Sequence, residues 1–195
     1  MNKKLILVGA PPACGKNYVS ERICRRAKQI TYLDKDDLGG LLHRTFALCN
    51  QEIYMEGDFY LQNLRDEEYA TLLRFAFSAL RFSDLVLVNA PFIKEVRNTD
   101  YMRNLKNTAN ALGAELVLVW VTAPPQVCRQ RMVHRNAERD RQKLAHWESY
   151  IAGLDFLAPY ALLDEHAVDQ LFVFNNADEA SATHDLENFW ATIGG

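Results

Sequence analysis

Cysteine is scarce in this 195-residue sequence, and the few cysteines form no recognisable motif. No Cys-x-x-Cys pair occurs, and no paired cysteine and histidine spacing accompanies the four residues Cys14, Cys24, Cys49 and Cys128. This pattern argues against a structural zinc site and against a disulfide framework. We therefore expect four reduced thiols and a cytoplasmic location.

The sequence also lacks a long apolar run. No stretch approaches the roughly 20 apolar residues that a helix needs to cross a bilayer, so we expect no membrane association. The run from Leu5 to Ala10 follows two lysines, as in a signal peptide, but it is too short and two prolines come directly after it. We interpret this run as a buried first strand.

Charge of one sign is not in surplus either. The formal net charge is -3, whereas counterion release from a nucleic acid needs an excess of lysine and arginine on one face. A basic cluster at residues 129–143 is the exception. A nucleic-acid partner is therefore disfavoured but stays open.

Five short aliphatic runs are present, and each is typical of a strand buried on both faces of a parallel sheet. These runs are Leu5–Val8, Ile30–Leu33, Leu85–Val88, Leu116–Val121 and Leu171–Phe174. The amphipathic segments between them predict helices over Tyr18–Lys28, Leu61–Leu80, Glu95–Leu112, Pro125–Tyr150 and Glu179–Trp190. This alternation predicts an α/β fold of three layers around a five-stranded parallel sheet. The length predicts a single domain over residues 1–195.

A loop rich in small residues follows the first predicted strand and leads directly into a helix. Its residues are Gly9, Ala10, Pro11, Pro12, Ala13, Cys14, Gly15, Lys16 and Asn17. From Ala10 onward they match the phosphate-binding pattern of Ala or Gly, four residues of any type, Gly and Lys. Small residues let backbone N–H groups wrap phosphates, and Lys16 reaches the β and γ oxygens. We predict that these residues, together with Tyr18, bind ATP.

Three points in this loop leave alternatives open. The loop could be an ordinary turn with Lys16 solvated, although its place after the first strand favours nucleotide binding. Asn17 stands where Ser or Thr normally offers a hydroxyl to Mg²⁺, and its amide oxygen is a candidate metal ligand. Cys14 lies where the helix N-terminus and Lys16 could lower its pKa and permit oxidation, but a small loop filler is the favoured interpretation.

With this loop and the segments described next, the sequence resembles the small P-loop kinases. This group includes nucleoside monophosphate kinases, polynucleotide kinase, chloramphenicol phosphotransferase-like enzymes and zeta-toxin-like kinases. The resemblance spans nearly the whole chain and implies a P-loop kinase-like fold, with an acceptor-binding helical region at about residues 38–80 and a helical lid at about 125–150. It also implies an ATP-dependent kinase that uses ATP and Mg²⁺ and acts on alcohol groups.

Acidic residues follow the second predicted strand in the segment Asp34-Lys35-Asp36-Asp37. The resemblance places a carboxylate here that contacts the acceptor hydroxyl and acts as a base, and Asp36 occupies the matching position. A carboxylate at the carboxyl end of a strand can orient or deprotonate an attacking hydroxyl. We predict that Asp36 is catalytic, contacts the acceptor and contributes to the metal site. The alternative for Asp36 is that it caps the following helix, and such a cap is the favoured interpretation of Asp37.

Asn89 follows the third predicted strand. Relatives usually carry Asp at this position and hold Mg²⁺ through water with it. Asn supplies no charge, so Asn17 and Asn89 both weaken the usual metal site, and Asp36 can take over part of that role. We predict that Asn89 contacts the acceptor; the alternative is a turn residue before Pro91.

A basic helix carries Arg131, Arg135 and Arg139 at intervals of four residues, which places them on one helical face. In the relatives, one arginine of such a helix stacks on adenine and another clamps the transferring phosphate, and the planar guanidinium suits both roles. We predict that Arg131 and Arg135 bind ATP and that Arg135 is catalytic, whereas Arg139 stays open. The alternative is an ordinary salt-bridged helix face neutralised by Glu138, Asp140 and Glu148.

Two further segments complete the predicted site. Asn176 follows the last strand, where relatives contact adenine, and we predict that it binds ATP. The acceptor face should lie in residues 41–69, a mixed acidic and aromatic set comprising His43, Arg44, Glu52, Tyr54, Glu56, Asp58, Phe59, Tyr60, Arg65 and Tyr69. Acidic residues repel a polyphosphate strand and aromatic residues suit a sugar-like compound, so a small hydroxylated acceptor is favoured. Arg65 could still bind an acidic acceptor.

Two other functions stay open. A degenerate P-loop ATPase or a nucleotide-dependent switch is favoured by Asn17 and Asn89, and would bind ATP without phosphorylating an acceptor. A 5′-hydroxyl polynucleotide kinase or a zeta-toxin-like kinase is the further alternative. The sequence identifies neither the acceptor nor the oligomeric state.

Overall fold

The structure, a computed structural model, describes residues 2–154 and 167–194, except for the side chain of Arg139. The described strands are all parallel and comprise β1 Lys3–Gly9, β2 Thr31–Asp34, β3 Leu85–Asn89, β4 Ala114–Thr122 and β5 Gln170–Asn175. They form one sheet in the order β2-β3-β1-β4-β5. This sheet confirms the predicted α/β fold. Each aliphatic run coincides with one strand, and its ends fall within two residues of the ends of that strand.

Helices connect the strands and flank the sheet. The described helices are α1 Lys16–Arg26, α2 Gly39–Leu48, α3 Asp58–Asn63, α4 Arg65–Ala79, α5 Thr99–Ala111, α6 Pro125–Arg135, α7 Arg141–Ala145, α8 Trp147–Ala152 and α9 Glu179–Ile193. Two short 3-10 helices, Lys35–Leu38 and Glu138–Asp140, precede α2 and α7. In the part of the chain that the structure describes, no helix is long and apolar enough to cross a bilayer.

The sheet lies between two apolar layers, because successive side chains of a strand point to opposite faces. In β1, Leu5 and Leu7 pack with residues of α4 and α5. Ile6 and Val8 pack on the other face with residues of α1, α6 and α9. The central position of β1 brings the loop that follows it to the middle of the sheet's carboxyl edge.

The predicted helix Leu61–Leu80 is two helices, α3 and α4, which meet at Leu64. The apolar pattern continues across this point, but it serves two separate clusters. Tyr60 of α3 packs with Phe46 of α2 in a small cluster, whereas Leu72 of α4 packs in the main core. The two helices therefore contribute to separate clusters, although the sequence pattern continues from one to the other.

The predicted helix Pro125–Tyr150 is also wrong as one continuous helix. Helix α6 ends at Asn136, whose left-handed φ of 46° lets its N–H bond to the Met132 carbonyl oxygen at 3.2 Å. Such a left-handed residue is a common way for a helix to end. The segment predicted as a lid therefore consists of α6, a 3-10 helix, α7 and α8.

Candidate active site

The loop from Gly9 to Gly15 joins the end of β1 to the start of α1. Its backbone turns through left-handed conformations at Ala13, with a φ of 64°, and at Gly15, with a φ of 90°. A Cβ atom at Gly15 would lie 2.1 Å from the Asn176 amide nitrogen. Glycine is therefore required at position 15 for both its backbone conformation and its close packing.

The loop leads into the N-terminus of α1, where Gly15 is the N-cap residue. Among the described residues, no side chain caps this helix start by a hydrogen bond. The first N–H groups of a helix have no partner within the helix and carry partial positive charge. This loop and helix start are thus suited to bind an anionic phosphate chain.

Three elements bring polar side chains together beside the loop. The Lys16 ammonium donates to the Asn89 Oδ1 atom at 2.6 Å and to the Asn17 Oδ1 atom at 3.1 Å. Asn89 is fully buried, and its Oδ1 atom also accepts from the Ser20 hydroxyl at 3.0 Å. The structure therefore places the predicted residues Lys16, Asn17 and Asn89 in one cluster.

Asp34, at the end of β2, supplies the carboxylate of this cluster. It pairs with Asn89 in the β2–β3 register, and its Oδ2 atom accepts from the Asn89 amide at 2.6 Å and from the Tyr32 hydroxyl at 2.6 Å. Burial alone would raise the pKa of Asp34, but the bonds from Tyr32, the Asp36 N–H and Asn89 and the charge of Lys16 hold it below its usual value. Asp34 is an anion in this setting.

Asp36 lies outside this cluster. Its side chain is exposed, and its backbone N–H donates to the Asp34 Oδ1 atom at 2.9 Å. Asp34 caps the 3-10 helix, and α2 starts without a side-chain cap from the residues described, so the capping alternative for Asp36 and Asp37 is wrong. The catalytic, acceptor and metal roles predicted for Asp36 stay predictions.

Oxygen atoms that suit Mg²⁺ converge on the Asn89 amide nitrogen. This nitrogen lies 2.6 Å from Asp34 Oδ2, 3.0 Å from Asn17 Oδ1 and 2.9 Å from the Tyr32 hydroxyl. Within residues 2–154 and 167–194, no group of three or more His, Cys, Asp or Glu side chains could hold a metal ion. Carboxylate and amide oxygens are ligands that Mg²⁺ accepts when phosphates and water complete its coordination, so Asp34 and Asn17 fit the ion. The Asn89 nitrogen between them is a hydrogen-bond donor and does not ligate a metal.

Arg131 and Asn176 hold the loop from its α6 side. The Arg131 guanidinium donates to the Cys14 carbonyl at 3.1 Å and to the Asn176 carbonyl at 2.7 Å. The buried Asn176 amide donates to the Cys14 carbonyl at 2.8 Å. The structure thus brings these two predicted residues to the loop, and their predicted contacts with ATP stay predictions.

Arg135 is engaged in an ion pair. Its Nη2 atom donates to the Asp140 Oδ1 atom at 2.7 Å, and its Nε atom donates to Asp140 Oδ2. Asp140 is fully buried, and its bonds hold the pKa of Arg135 above the usual value. The salt-bridged alternative thus describes Arg135 here, while its predicted role at the phosphate stays a prediction; Arg139 cannot be compared, since its side chain lies outside the described part.

Arg65, predicted to contact the acceptor, also has a buried partner. It pairs with Glu95 at 2.8 Å and lies over the Tyr69 ring at 4.5 Å. Burial alone would lower the pKa of Arg65, but its bonds to Glu95 raise it. An acidic acceptor would have to compete with Glu95 for this guanidinium.

The predicted acceptor face is less aromatic than the sequence suggested. Tyr60 and Tyr69 are buried, and the Tyr60 hydroxyl donates to the buried Glu68 carboxylate at 2.5 Å. The inclusion of these two tyrosines in an acceptor surface is therefore wrong. Exposed apolar side chains lie in the same region instead, namely Leu41, Leu48, Ile53, Tyr54 and Leu61.

Tyr18, in the first turn of α1, lies at the surface beside the loop. Its hydroxyl accepts from Arg22 at 2.6 Å, and the guanidinium lies 5.3 Å from its ring centroid. Its predicted contact with ATP stays a prediction.

Sequence reasoning did not place Asp34 and Tyr32 in the cluster, and it named Asp140 only as one of several carboxylates that could neutralise the basic helix. Tyr32 and Asp34 are two residues apart on β2 and hence share one face, which is a signal that the sequence carries. Only the strand order, in which β2 lies beside β3, shows that these two side chains lie next to Asn89 and the loop. Asp140, five residues after Arg135, carries a weaker signal because the helix ends between them.

Comparisons with known proteins agree with this geometry. A family model described as AAA domain matches residues 5–157. A candidate kinase from Chloroflexus aurantiacus has a TM-score of 0.69 at 16% identity, over 100% of this chain and 98% of that one. A gluconokinase from Sinorhizobium meliloti has a TM-score of 0.55 at 14% identity, over 99% and 96%. A shikimate kinase from Bacteroides thetaiotaomicron has a TM-score of 0.53 at 10% identity, over 98% of this chain and 99% of that one.

No curated protein matches the sequence. Identities this low show a shared fold and no more, and the fold is that of the small P-loop kinases, which confirms the resemblance. The family match runs from β1 beyond α8 and includes the loop, Asp34, Asn89 and Arg131. The chain belongs to the AAA domain family.

Proposed function

We propose that this protein binds ATP with Mg²⁺ at the loop and transfers the γ-phosphoryl group to a hydroxyl of a small acceptor. The observation that carries the proposal is the convergence of Lys16, Asn89 and Asp34 at the carboxyl ends of neighbouring strands. Ligands of open α/β sheets bind at this edge. A cation, neutral oxygen donors and one carboxylate there supply what phosphoryl transfer needs.

Each part of the cluster has a task in this proposal. The loop N–H groups and the α1 N-terminus hold the phosphate chain. Lys16 turns from Asn89 towards the β and γ oxygens, where its charge opposes the charge that develops during transfer. Asn17 and Asp34 are the residues that would hold Mg²⁺, which neutralises phosphate charge when bound.

Asp34 and Asp36 are both candidates for the base that receives the acceptor proton. Asp34 supports a role next to the phosphates, because it is charged, partly buried and bonded to the Lys16 and Asn89 cluster. Asp36 is exposed at the start of the helical region, so its carboxylate is open to an incoming hydroxyl. We assign the metal-side role to Asp34 and retain Asp36 as the candidate base.

The exposed side chains of the helical region favour a small acceptor that has an apolar part. Its exposed apolar residues lie on α2, on α3 and on the segment between them, and no core residue covers them among those described; they are Leu41, Leu48, Ile53, Tyr54 and Leu61. Aromatic and aliphatic surface of this kind suits a sugar-like or ring-bearing compound with a hydroxyl. This surface is less well suited to a polynucleotide end, because the surface offers few cations to the phosphates of the strand.

A nucleotide-dependent switch or ATPase is the second candidate, and the neutral side chains Asn17 and Asn89 favour it. Asn17 and Asn89 bring no negative charge to a metal ion, and a weak metal site suits binding better than transfer. The two candidates differ in whether an acceptor accelerates ADP release. A library of sugars, nucleosides and aminoglycosides, tested at several Mg²⁺ concentrations, separates them.

The test of ATP binding is the variant Lys16→Ala. We expect its ATP affinity to fall by roughly 10-fold or more, since a charge-assisted hydrogen bond to phosphate is lost. Isothermal calorimetry in Mg²⁺ and in EDTA measures the change. Lys28→Ala is the matched control, because Lys28 is exposed beyond the far end of α1. Equal ATP affinity in both variants would place the nucleotide elsewhere.

A further inference from the structure

Two buried thiols meet beneath the nucleotide loop. Cys14 belongs to the loop and Cys128 to α6, and both side chains are fully buried. Their sulfur atoms lie 3.5 Å apart, and one S–H donates to the other sulfur. The two residues are 114 positions apart in the sequence, so the sequence interpretation of Cys14 as a loop filler could not include its partner.

We propose that Cys14 and Cys128 are an oxidation site, at which a hydroperoxide converts the two thiols into a disulfide that excludes ATP from the loop. The inference rests on the ATP-binding function proposed above. Its first part, disulfide formation, can be measured in the absence of ATP. Its second part, the loss of ATP binding, follows from the position of Cys14 directly before Gly15 and Lys16.

The environment distinguishes the two sulfurs. The hydrogen bond from Cys14 and the charge of Arg131 hold the pKa of Cys128 below its usual value. The hydrogen bond to Cys128 and burial raise the pKa of Cys14. The thiolate is the reactive form of cysteine, so the lowered pKa of Cys128 favours Cys128 as the sulfur that attacks the oxidant and Cys14 as the thiol that resolves the product.

The chemistry balances with one hydroperoxide for each pair. The Cys128 thiolate attacks a peroxide oxygen, the O–O bond breaks, and hydrogen peroxide yields a sulfenic acid and one water. The Cys14 sulfur then attacks the sulfenic sulfur, the S–O bond breaks, and the hydroxyl leaves as a second water with the Cys14 proton. Two thiols are oxidised by two electrons, and the peroxide is reduced.

Disulfide formation must move the loop. A disulfide bond is about 2.0 Å long, so the sulfurs have to approach each other from 3.5 Å. Cys128 lies on a helix whose Met132 is in the core, whereas the loop is a short irregular segment. In the proposal, closing this gap strains the loop at Cys14, whose carbonyl is held by Arg131 and Asn176, and so disturbs the turn that would hold phosphate. We expect an ATP affinity lower by roughly 10-fold or more, the effect of losing one charge-assisted hydrogen bond.

The competing interpretation is that the two thiols are inert small apolar side chains in contact. Full burial favours this interpretation, because an oxidant reaches the sulfurs only when the loop opens. It predicts that peroxide leaves both thiols intact under conditions that oxidise the exposed Cys49. Hydrogen peroxide is the probe of choice since it is small enough to enter a briefly opened site.

The experiment uses the full chain with Cys24→Ser and Cys49→Ser, which leaves the buried pair as its cysteines. After treatment with hydrogen peroxide, we expect no free thiol in the denatured chain and a mass lower by two hydrogens. Calorimetry should show the lowered ATP affinity, and dithiothreitol should restore it. Adding Cys128→Ser gives the matched control, in which peroxide forms no intramolecular disulfide.

Peptide mapping of the oxidised wild-type chain is the second measurement, and it should find Cys14 joined to Cys128. Two free thiols after peroxide, or a disulfide that leaves ATP affinity unchanged, would overturn the inference. A reduced chain that does not bind ATP would instead contradict the proposed function. In that case thiol titration and mapping still decide whether the oxidation site exists.

Discussion

The surroundings of the nucleotide loop and the helical region of α2 and α3 are built in different ways. The loop is fixed by hydrogen bonds from distant parts of the chain, including those of Arg131 and Asn176, and it follows a fully buried strand. The helical region has its own small cluster of Leu42, Phe46 and Tyr60, beside several exposed apolar side chains. The loop is therefore held in one conformation by distant residues, whereas the helical region has a small core of its own and an apolar surface.

Ion pairs connect the helical region to the rest of the protein. Lys35 pairs with Glu68 at 3.0 Å, where both side chains are largely buried. Lys143 of α7 pairs with Glu56 at 2.6 Å. The helical region thus depends on a few charged contacts, whereas the sheet depends on packed aliphatic side chains. Variants in each part should have separable effects.

The largest effect is expected from Glu68→Gln. Removing one partner of a buried ion pair leaves Lys35 uncompensated, and such changes cost about 3–5 kcal/mol. Urea unfolding should show this loss, and hydrogen exchange should show that α2 and α3 open before β1 and β4. Glu67→Gln, an exposed neighbour on α4, is the control and should change stability little. Uniform loosening of the whole protein would remove the distinction between the two regions.

Asp34→Asn should have the second largest effect and act on the other region. It removes a carboxylate that accepts a hydrogen bond from Asn89 in the cluster, and we expect phosphoryl transfer to fall by roughly 10²-fold. The Mg²⁺ dependence of ATP affinity should weaken as well, which calorimetry measures without an acceptor. Asp36→Asn is the comparison: a similar loss of transfer with normal Mg²⁺ dependence would make Asp36 the base.

The smallest effect concerns pH. Because the pKa of Asp34 is lowered in the folded protein, its contribution to stability is present above the unfolded value of about 3.9 and is lost as pH falls through the lower folded value. Between pH 6 and pH 2, an interval around that value, the midpoint temperature of thermal unfolding should therefore fall less steeply for Asp34→Asn than for the wild type. A parallel decline in both proteins would mean that the Asp34 bonds do not persist in solution.

Local patterns predicted the parts of the fold that depend on local chemistry. The aliphatic run at Leu5–Val8, the small residues before Lys16 and the strand ends carried enough information to place the loop. The choice of Asp36 over Asp34 failed to anticipate the cluster, because the pairing of Asp34 with Asn89 depends on the strand order β2-β3-β1. Strand order is a property of long-range packing, which no local window contains.

Ion pairing was anticipated only in part: Asp140 was among the carboxylates that could neutralise the basic helix, but its pairing with Arg135 depends on where that helix ends. The pair of Arg135 and Asp140 forms because α6 ends at Asn136 and the chain turns back, whereas the uninterrupted helix that was predicted would have separated these two side chains. The pair of Arg65 and Glu95 joins α4 to the segment after β3. A charged residue in the sequence can therefore be assigned to a ligand only after its partners within the protein are known.

The order of the strands also has a consequence during synthesis. The loop follows β1 and is synthesised early. The neighbours of β1 in the sheet are β3 and β4, which are synthesised much later, and Ile6 lies beside Leu87 and Val117. At a translation rate of roughly 5–20 residues per second, the loop waits several seconds or longer before β4 is complete. A nascent chain that ends before β4 thus carries the loop without one of the two strands that flank β1, and on the proposed function a nucleotide would not assist folding until the sheet has formed around β1.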